Sequence, residues 1–533
     1  MNAFLFSRAA RLSRKLAAPF RLSALAARVI GFSKPPGNEP GLLMIQIDGL
    51  ARPQLEQAIR KRKMPFLAGL ISNGKFSLRS HYSGLPSSTP GVQGEIFYGV
   101  RCAVPSFGFV NHTTGESSSM LSAKAVLAVQ RRLERENVSL LEGGSAYSDI
   151  YNGGTEKSGF CSPDFGLGPY LHPFNPVLVS LLVLIHAYTI LRTAVLLCME
   201  LVLAIRDFAK GIIARENFWM EVRFIPARVG ICVILRELIT SNVAIDLSRG
   251  LPVVHCNFLG YDEQAHRRGP SSAFAHWTLK GIDDAVKRVY MAASRSNRRN
   301  YRILIYSDHG QEKTLSYPDL YGGTVQKVVG NFLREQGICN GNHSQELSVP
   351  HNHKNSSFFS QLSSRYHAFS HVTRPRVVAV GPVGHVYLPG KISDSEMDRI
   401  GALMVSRCGI PLVFRKLGNN RVKGWNKKGD FILPRDALKV FGSDHPFLES
   451  VAEDWVTLVH HDDSGDFVIN GWDPDNPPLS FPRENGAHAG PGKEETHGFV
   501  LLPKDCRVNT ARGYLRPMDL RKAAYNLLEK NYC

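Results

Sequence analysis

Apolar runs that end in or lead toward an acidic side chain constrain the fold of this chain most strongly. Residues 42–48 read LLMIQID, residues 251–259 read LPVVHCNFL, and residues 301–308 read YRILIYSD. A short continuous apolar run is typical of a buried strand in a parallel sheet. Residues 271–294 carry apolar side chains at helical spacing. Strand, helix and strand in this order predict a parallel α/β sheet with the acids at the carboxyl ends of its strands.

The chain has 533 residues, which is enough for two or more lobes. The strand-like runs place an α/β core in residues 41–110, 251–310 and 481–533. Residues 111–250 are predicted to form a helical, partly apolar insertion, and residues 311–480 a cap with edge strands. Within the cap, the runs RPRVVAVGPVGHVYL, EDWVTLVHH and GDFVINGW are expected to be antiparallel or edge strands. Residues 1–40 are set apart as a basic N-terminal segment.

Residues 176–205 are strongly apolar and long enough to span a bilayer, but His186, Arg192 and Glu200 interrupt them. An isolated charge at the centre of a bilayer costs roughly 2.5–3.5 kcal/mol on insertion scales, which argues against a simple single pass. Three interpretations stay open: a buried or interfacial helical hairpin, a transmembrane span, or a helix that forms a dimer.

The charge balance favours anionic partners. The formal net charge is +18, which suits a lipid surface, nucleic acid or a phosphorylated substrate, although a merely basic enzyme would show it too. Residues 1–34 contain seven Lys and Arg and no acid. They are read as an amphipathic helix on an anionic membrane, a presequence-like segment or a disordered basic tail. With no secretory apolar core and nine cysteines without a CxxC motif, a membrane-associated or cytoplasmic location is expected.

Seven side chains have the chemistry of metal ligands. Asp262 and His266 are four residues apart, a spacing at which two side chains on one helical turn can hold one ion. Such pairs are also common on protein surfaces. Asp308 and His309 end a strand-like run, where an Asx turn would be the simpler explanation if this motif stood alone. The others are Asp48, Thr89 and His488. Carboxylates, imidazoles and one hydroxyl are the set that a two-metal site for phosphoryl chemistry uses.

Thr89 is the candidate nucleophile. It lies in a turn between Pro86 and Pro90, ahead of a helix-like stretch. A divalent cation can stabilise the alkoxide of such a hydroxyl, and a helix N-terminus favours an anionic phosphoryl group. The alternatives are that Ser87, Ser88 and Thr89 cap the helix, or that Ser88 is the nucleophile.

Taken together, the motifs IQIDG, PSSTP, YDEQAH, SDHG and GAHAG, in this order, resemble the alkaline phosphatase superfamily, in its type I phosphodiesterase/nucleotide pyrophosphatase branch. The resemblance implies a doubly wound, mainly parallel α/β core and two divalent metal ions, normally zinc. One ion would be held by Asp48, Thr89, Asp308 and His309, and the other by Asp262, His266 and His488. Thr89 would attack phosphorus and form a phosphothreonine intermediate.

One position departs from the family. Nucleotide pyrophosphatases carry an asparagine three residues after the nucleophile, where this chain has Val92 beside Gln93. Gln93 could replace it, backbone N–H groups could hold the phosphate oxygen, or the substrate could differ. Val92 also replaces the arginine of the sulfatase motif, which disfavours a sulfatase. A phosphodiesterase is therefore expected, with a phosphomonoesterase or a non-catalytic membrane scaffold as alternatives. No nucleic-acid partner is predicted, and the oligomeric state stays open.

Overall fold

A computed structural model describes residues 38–164, 191–206, 228–338, 375–506 and 511–529, together with residues 208, 218, 222 and 508. The predictions for residues 1–34 and for residues 176–190 lie outside these ranges. The strands are β1 Pro40–Ile47, β2 Phe76–Tyr82, β3 Gly108–Val110, β4 Ser117–Ser119, β5 Ser145–Tyr147, β6 Lys157–Gly159, β7 Val253–Phe258, β8 Asn300–Tyr306, β9 Glu312–Lys313, β10 Leu315–Ser316, β11 Arg376–Val380, β12 Val383–Tyr387, β13 Leu412–Leu417, β14 Arg421–Asn426, β15 Gly429–Leu433, β16 Phe467–Asn470, β17 Leu479–Ser480, β18 Gly486–Ala487 and β19 His497–Pro503.

The α-helices with defined ends are α1 Arg52–Arg60, α2 Pro65–Ser72, α3 Thr89–Tyr98, α4 Ala123–Glu136, α5 Arg236–Arg249, α6 Gly260–Arg268, α7 Ala273–Ser294, α8 Tyr317–Tyr321, α9 Val325–Glu335, α10 Asp394–Cys408, α11 Ala437–Phe441, α12 Leu448–His460 and α13 Pro517–Leu527. Residues 191–206 are also helical. A π-helical turn, Gly230–Leu235, leads directly into α5, so residues 228–249 form one continuous helical segment.

The main sheet has seven strands in the order β2, β19, β8, β1, β7, β5 and β6. Its centre is β1, which pairs in parallel with both β7 and β8. Only β19 runs in the opposite direction: it is antiparallel to both of its neighbours, β8 and the edge strand β2. Residues 41–47 of β1 are all buried, because helices cover both faces of a parallel sheet and leave no side to water. The predicted mainly parallel α/β sheet is thus confirmed.

Helices cover each face of this sheet. On one face, α5 and α7 bury side chains such as Val243, Leu247 and Ile282 against the strands, with α1 and α2 beside them. On the other face, α3, α4 and α13 bury Phe97, Leu133 and Leu520 in a second apolar core. The two separate cores are those of a doubly wound fold, as expected.

The cap is built on a second sheet. Strands β11, β12, β16, β13, β14 and β15 form this antiparallel sheet, in that order. Two of the three expected strand runs are strands. The third prediction was wrong, because EDWVTLVHH lies in α12. Val451, Trp455 and Val459 are buried there at helical spacing, so the run packs one face of a helix on the cap sheet.

The segment 111–250 does not stand apart from the core. Its short strands β5 and β6 continue the parallel sheet beyond β7. Tyr147 of β5 joins the same apolar core as Val243 of α5. The division of the chain into core, insertion and cap stays a prediction, but these strands belong to the central sheet by their pairing.

The 191–206 helix packs antiparallel to the segment 228–249. Arg192 pairs with Glu237 at 2.8 Å, whereas Glu200 pairs with Arg228, which comes earlier in the chain. The charges that interrupt the apolar run are therefore paired within this helical layer. Over the described residues, the structure contains no helix with the length and apolar character needed to cross a membrane.

Candidate metal centre

The carboxyl ends of β1 and β8 bring together three buried side chains. In these parallel strands Gln46 lies opposite Tyr306, so Asp48 and Asp308 follow the strands at the same edge of the sheet. Nε2 of His309 is 3.3 Å from Oδ2 of Asp308 and 3.7 Å from Oδ1 of Asp48. We call these three residues the first ligand cluster; one ligand atom of each lies within 4.8 Å of the other two.

Thr89 begins helix α3, beside the first ligand cluster. Its Oγ1 is 3.4 Å from Nε2 of His309, and the side chain is buried. The N-terminus of α3 therefore points its positive end toward the same space. Ser88 precedes the helix, but its side chain makes no capping hydrogen bond. Its Oγ is buried and has no hydrogen-bond partner among the described residues. Of the two hydroxyls, that of Thr89 is the one with a contact to the first ligand cluster.

Asp262, His266 and His488 form the second ligand cluster. Nε2 of His266 is 3.3 Å from Oδ2 of Asp262, one turn earlier in α6. Nε2 of His488, which follows β18, is 3.8 Å from Oδ1 of the same carboxylate. The rings of His309 and His488 stack, with centroids 3.8 Å apart. The two clusters are therefore neighbours and form one site.

All three histidines present the same nitrogen to the site. Nδ1 of His266, His309 and His488 lies 2.9 Å from the carbonyl oxygens of Gly486, Gly310 and Ser87, respectively. A carbonyl oxygen can only accept, so each Nδ1 carries the proton and donates it. In the neutral ring this leaves the lone pair on Nε2, the arrangement that metal-binding imidazoles use.

Burial and like charge act together on the carboxylates. Burial, with the nearby Asp308 and Asp262, raises the pKa of Asp48 well above its usual range. Burial also raises the pKa of Asp308. At Asp262, burial opposes ionisation, but the neighbouring His266 lowers the pKa of this carboxyl below its usual range. Three carboxylates in so small a volume need additional positive charge to be ionised together.

The donor set fits divalent metal ions. Oδ2 of Asp308 is buried without a hydrogen-bond partner among the described residues, although it faces the first ligand cluster. A cation would satisfy this oxygen and supply the missing charge. Carboxylate oxygens and imidazole nitrogens are ligands that zinc and similar ions accept. All seven predicted ligand side chains therefore lie where they could hold two ions.

Sequence reasoning missed the side chains that orient the acids. Nδ2 of Asn257 donates to Oδ2 of Asp48 at 2.5 Å. Nε2 of Gln311 donates to Oδ1 of Asp262, also at 2.5 Å. Both are amides in or just after the apolar runs, and a polar residue inside such a run was the available signal. The bond from Asn257 leaves Oδ1 of Asp48 toward His309, and the bond from Gln311 holds the carboxylate of Asp262 in place.

The position that departs from the family has a structural role. Val92 is buried in the apolar core on the α3 side of the sheet. The amide of Gln93 donates to Oε1 of Gln46 and to Oδ1 of Asp149, and its oxygen accepts from the backbone N–H of Ile150. With these bonds made, Gln93 does not face a phosphate group. Backbone N–H groups or a different substrate remain as explanations.

His497 is not part of either ligand cluster. It begins β19, and its Nε2 lies 3.0 Å from Oγ of Ser80 on the neighbouring strand. Of these two histidines, His488 is the one that lies in a ligand cluster.

No protein-family model matches the chain, and no curated protein matches it. Solved structures do. Phosphonoacetate hydrolase from Sinorhizobium meliloti 1021, in complex with phosphonoformate, is 14% identical over 92% of this chain and 96% of its own, with a TM-score of 0.46. Murine ectonucleotide pyrophosphatase/phosphodiesterase 5 is 10% identical over 92% of this chain and 96% of its own, also with a TM-score of 0.46.

Proposed function

We propose that this chain is a two-metal hydrolase of phosphate esters, most readily of phosphodiesters, with Thr89 as its nucleophile. The observation that carries the proposal is the single site formed by the two ligand clusters, with Oγ1 of Thr89 3.4 Å from His309. A structural role for these residues would not require two buried carboxylates and a third, half-buried one to converge on three Nε2 atoms. The similarity to the phosphonate and nucleotide hydrolases agrees with this chemistry.

Each of the two ions would have its own set of ligands. Asp48, Asp308, His309 and Thr89 would hold one, and Asp262, His266 and His488 the other. We propose zinc, because the ligands combine imidazole with carboxylate. When bound, a pair of divalent ions supplies Lewis acidity and stabilises both the attacking and the leaving oxygen of a phosphoryl transfer.

Thr89 would act in two steps. Its hydroxyl proton passes to solvent, Oγ1 forms a bond to phosphorus, and the bond from phosphorus to the leaving oxygen breaks. The leaving oxygen takes a proton from water. Water then attacks the phosphothreonine and releases Oγ1, which regains a proton. The N-terminus of α3 lies beside this group and favours its negative charge throughout.

Hydrolysis of two nitrophenyl esters tests the proposal. We expect the purified chain to cleave bis-p-nitrophenyl phosphate faster than p-nitrophenyl phosphate, to lose both activities on chelation and to regain them with zinc. Faster cleavage of the monoester would make the enzyme a phosphomonoesterase with the same site. No hydrolysis of either ester after zinc is restored would favour a non-catalytic scaffold.

We also propose that the enzyme works at an anionic membrane surface, on a lipid-linked or otherwise amphiphilic phosphate ester. The net charge of +18 and the seven Lys and Arg of residues 1–34 support this location. The amphiphilic substrate follows from the same location, since a bilayer would present such a molecule with its phosphate toward the protein.

A further inference from the structure

The outer surface of one helical layer combines an apolar band with unpaired cations. The layer covers the sheet face on which α5 and α7 pack. Most large apolar side chains that the described residues expose lie on two of its helices. On the 191–206 helix these are Leu191, Val195, Met199, Leu201, Val202 and Ile205. On the segment 228–249 they are Ile234, Leu238 and Ile245. We call these nine side chains the apolar band.

On the 191–206 helix, the exposed apolar side chains of the band recur at helical spacing and form one face. Leu191, Val195 and Met199 recur at intervals of four residues, and Val202, 66% exposed, continues the same side. The opposite side of this helix buries Glu200 and Ala204. Side chains at such spacing form one continuous stripe. A stripe of this size in water is typical of a surface that contacts a membrane or another protein.

The packing inside the layer fixes the direction of the band. Ile239, Val243 and Leu247 of α5 are buried against the sheet. The exposed Leu238 and Ile245 therefore lie on the outer side of that helix. The neighbouring helix α7 likewise buries its apolar side and exposes Lys280 and Lys287.

Four cations lie in a groove beside the band. The groove, of about 630 Å³, runs between α2 and α7 and is lined by Arg62, Lys63, Lys280 and Lys287. None of the four forms an ion pair with another residue in the described ranges. Lys63 and Lys280 instead lie over the ring of Trp277.

The groove adjoins the band through one ion pair. Asp284 lines the groove and pairs with Arg192, in the first turn of the described 191–206 helix. The unpaired cations and the apolar stripe are thus parts of one continuous outer surface. We infer that this surface docks on a bilayer that contains anionic lipid, with the apolar band among the acyl chains and the cations at the phosphate groups.

The chemical pattern favours a bilayer over a protein partner. Interfacial helices bury an apolar face at the level of the headgroups and place Lys and Arg beside it. Each Lys or Arg near an anionic leaflet adds about 1 kcal/mol of attraction, which salt weakens. A self-complementary contact between two copies would instead bring these four like charges near one another.

The layer that carries this surface also contacts the helix that holds part of the metal centre. Sγ of Cys232, in the π-helical turn, lies 3.4 Å from Nε2 of Gln264 in α6. Helix α6 carries Asp262 and His266, so the docking surface is one helix away from the second ligand cluster. A bilayer held by this layer would lie close to the side of the site that Asp262 and His266 form, which deepens the proposal of an amphiphilic substrate.

Vesicle binding by the full chain tests the inference, which rests on the proposed membrane location and not on the catalytic assignment. The probes are vesicles of phosphatidylcholine alone and of phosphatidylcholine with phosphatidylglycerol, at low and high salt. We expect the wild type to bind the anionic vesicles more tightly, and less so in high salt. Val195→Asp with Val202→Asp should weaken this binding about tenfold or more.

A second set of variants tests the cations of the groove by reversing their charge. Lys280→Glu with Lys287→Glu should weaken binding to anionic vesicles by about tenfold and reduce its dependence on salt. The matched controls are Lys391→Glu with Lys416→Glu and Leu438→Asp, which change exposed side chains of the cap. These controls should bind as the wild type does. All variants should hydrolyse a soluble nitrophenyl ester at the wild-type rate.

Three results would overturn the inference. If the wild type binds no anionic vesicles, the membrane location itself is wrong. If the wild type binds but the variants of the band and groove bind equally well, another part of the chain docks. If the Val195 and Val202 changes convert a dimer into a monomer in light scattering without affecting vesicle binding, the band is an interface between two copies.

Discussion

Nε2 of Gln93 lies 3.1 Å from Oε1 of Gln46, and this contact joins the helix that begins at Thr89 to strand β1, which Asp48 follows. Both side chains are fully buried. The contact belongs to a closed ring of hydrogen bonds. Gln93 also reaches Asp149, Asp149 contacts His255, and Tyr306 contacts both His255 and Gln46. The ring of hydrogen bonds joins strands β1, β7 and β8 to helix α3, close to the residues of the metal centre.

Loss of the Tyr306 hydroxyl, one member of this ring of hydrogen bonds, should slow catalysis more than it destabilises the fold. Tyr306→Phe removes the contacts to His255 and Gln46 without changing the volume of the core. Because the ring sets the distance from Thr89 to Asp48, we expect kcat to fall by about tenfold, since small misplacements of reacting groups cost that much or more. Zinc content should stay unchanged, as Tyr306 touches none of the predicted ligands among the described residues.

Tyr147→Phe is the matched control for this change. Tyr147 lies on β5 of the same sheet and its hydroxyl reaches Oδ2 of Asp246 at 2.5 Å, at a distance from the ligand clusters. Tyr306→Phe loses two hydrogen bonds and Tyr147→Phe loses one, so we expect stability losses of about 2 and about 1 kcal/mol, respectively. Equal kcat values in the two variants would show that the ring does not position the nucleophile.

Thr89→Ala should abolish turnover. Removal of a nucleophile typically costs on the order of 10³-fold or more in rate. The free energy of unfolding should change by only about 1 kcal/mol, the typical net contribution of one hydrogen bond, because the hydroxyl contacts only polar side chains of the first ligand cluster, His309 and Asp308. Ser88→Ala, the neighbouring buried hydroxyl, is the control and should keep most of the activity. If instead Ser88→Ala is inactive and Thr89→Ala is active, the nucleophile is Ser88.

Asp308→Asn should affect stability in opposite directions with and without metal. Without metal, burial disfavours the ionised carboxylate, so the neutral amide should raise the free energy of unfolding. With zinc, the wild type should be the more stable protein, since it binds the ion more tightly and bound ligand adds stability. Thermal unfolding with chelator and with zinc checks both signs.

Asp454→Asn is the control for that experiment. Asp454 is buried in the cap and pairs with Arg516 at 2.7 Å. Its loss leaves a buried guanidinium without its partner and should destabilise the chain whether or not zinc is present. A loss of stability on Asp308→Asn under both conditions would contradict the assignment of Asp308 as a metal ligand.

Glu95 should make stability depend on pH. Burial, with Asp454 nearby and Arg516 opposing, raises the pKa of Glu95 to about 7 in the folded chain. A raised folded-state pKa means that the folded chain binds the proton more tightly than the unfolded chain. The stability from this proton is complete below the pKa of the unfolded side chain and is lost as pH rises through about 7.

Glu95→Gln removes this titration while its Oε1 can still accept from the N–H of Met518. We expect the variant to match the wild type near the pKa of a free glutamate and to be more stable by on the order of 1–3 kcal/mol at a pH about one unit above the folded-state value. Urea unfolding at both pH values measures the difference. A variant that is less stable than the wild type at the higher pH would show that Glu95 is ionised and stabilising in the folded chain.

The sequence was sufficient for the parallel core and for the residues that meet at its edge. Asp48 and Asp308 follow apolar strand runs, and the geometry of parallel strands brings such ends together whatever their separation in the chain. His266 was found by its spacing from Asp262, which is a local signal. Each of these inferences needed only a short stretch of chain and one rule of sheet or helix geometry.

Other features depend on contacts that no local pattern carries. Strand β5 has three residues, too few to show a period, and its place in the sheet follows from pairing with β7. The cap helix α12 contains apolar residues on which strand and helix periods overlap, and its packing decided between them. Gln93 and Asn257 act through partners far away in sequence, so their roles required the folded structure.

The zinc content of the purified full chain tests the central claim most directly. Elemental analysis should find about two zinc ions per wild-type chain, one for each ligand cluster, and about one in an Asp262→Ala variant, which loses the acid shared by both histidines of the second cluster. The same zinc content in the variant and the wild type, or no bound metal in either after incubation with zinc, would contradict the two-metal site.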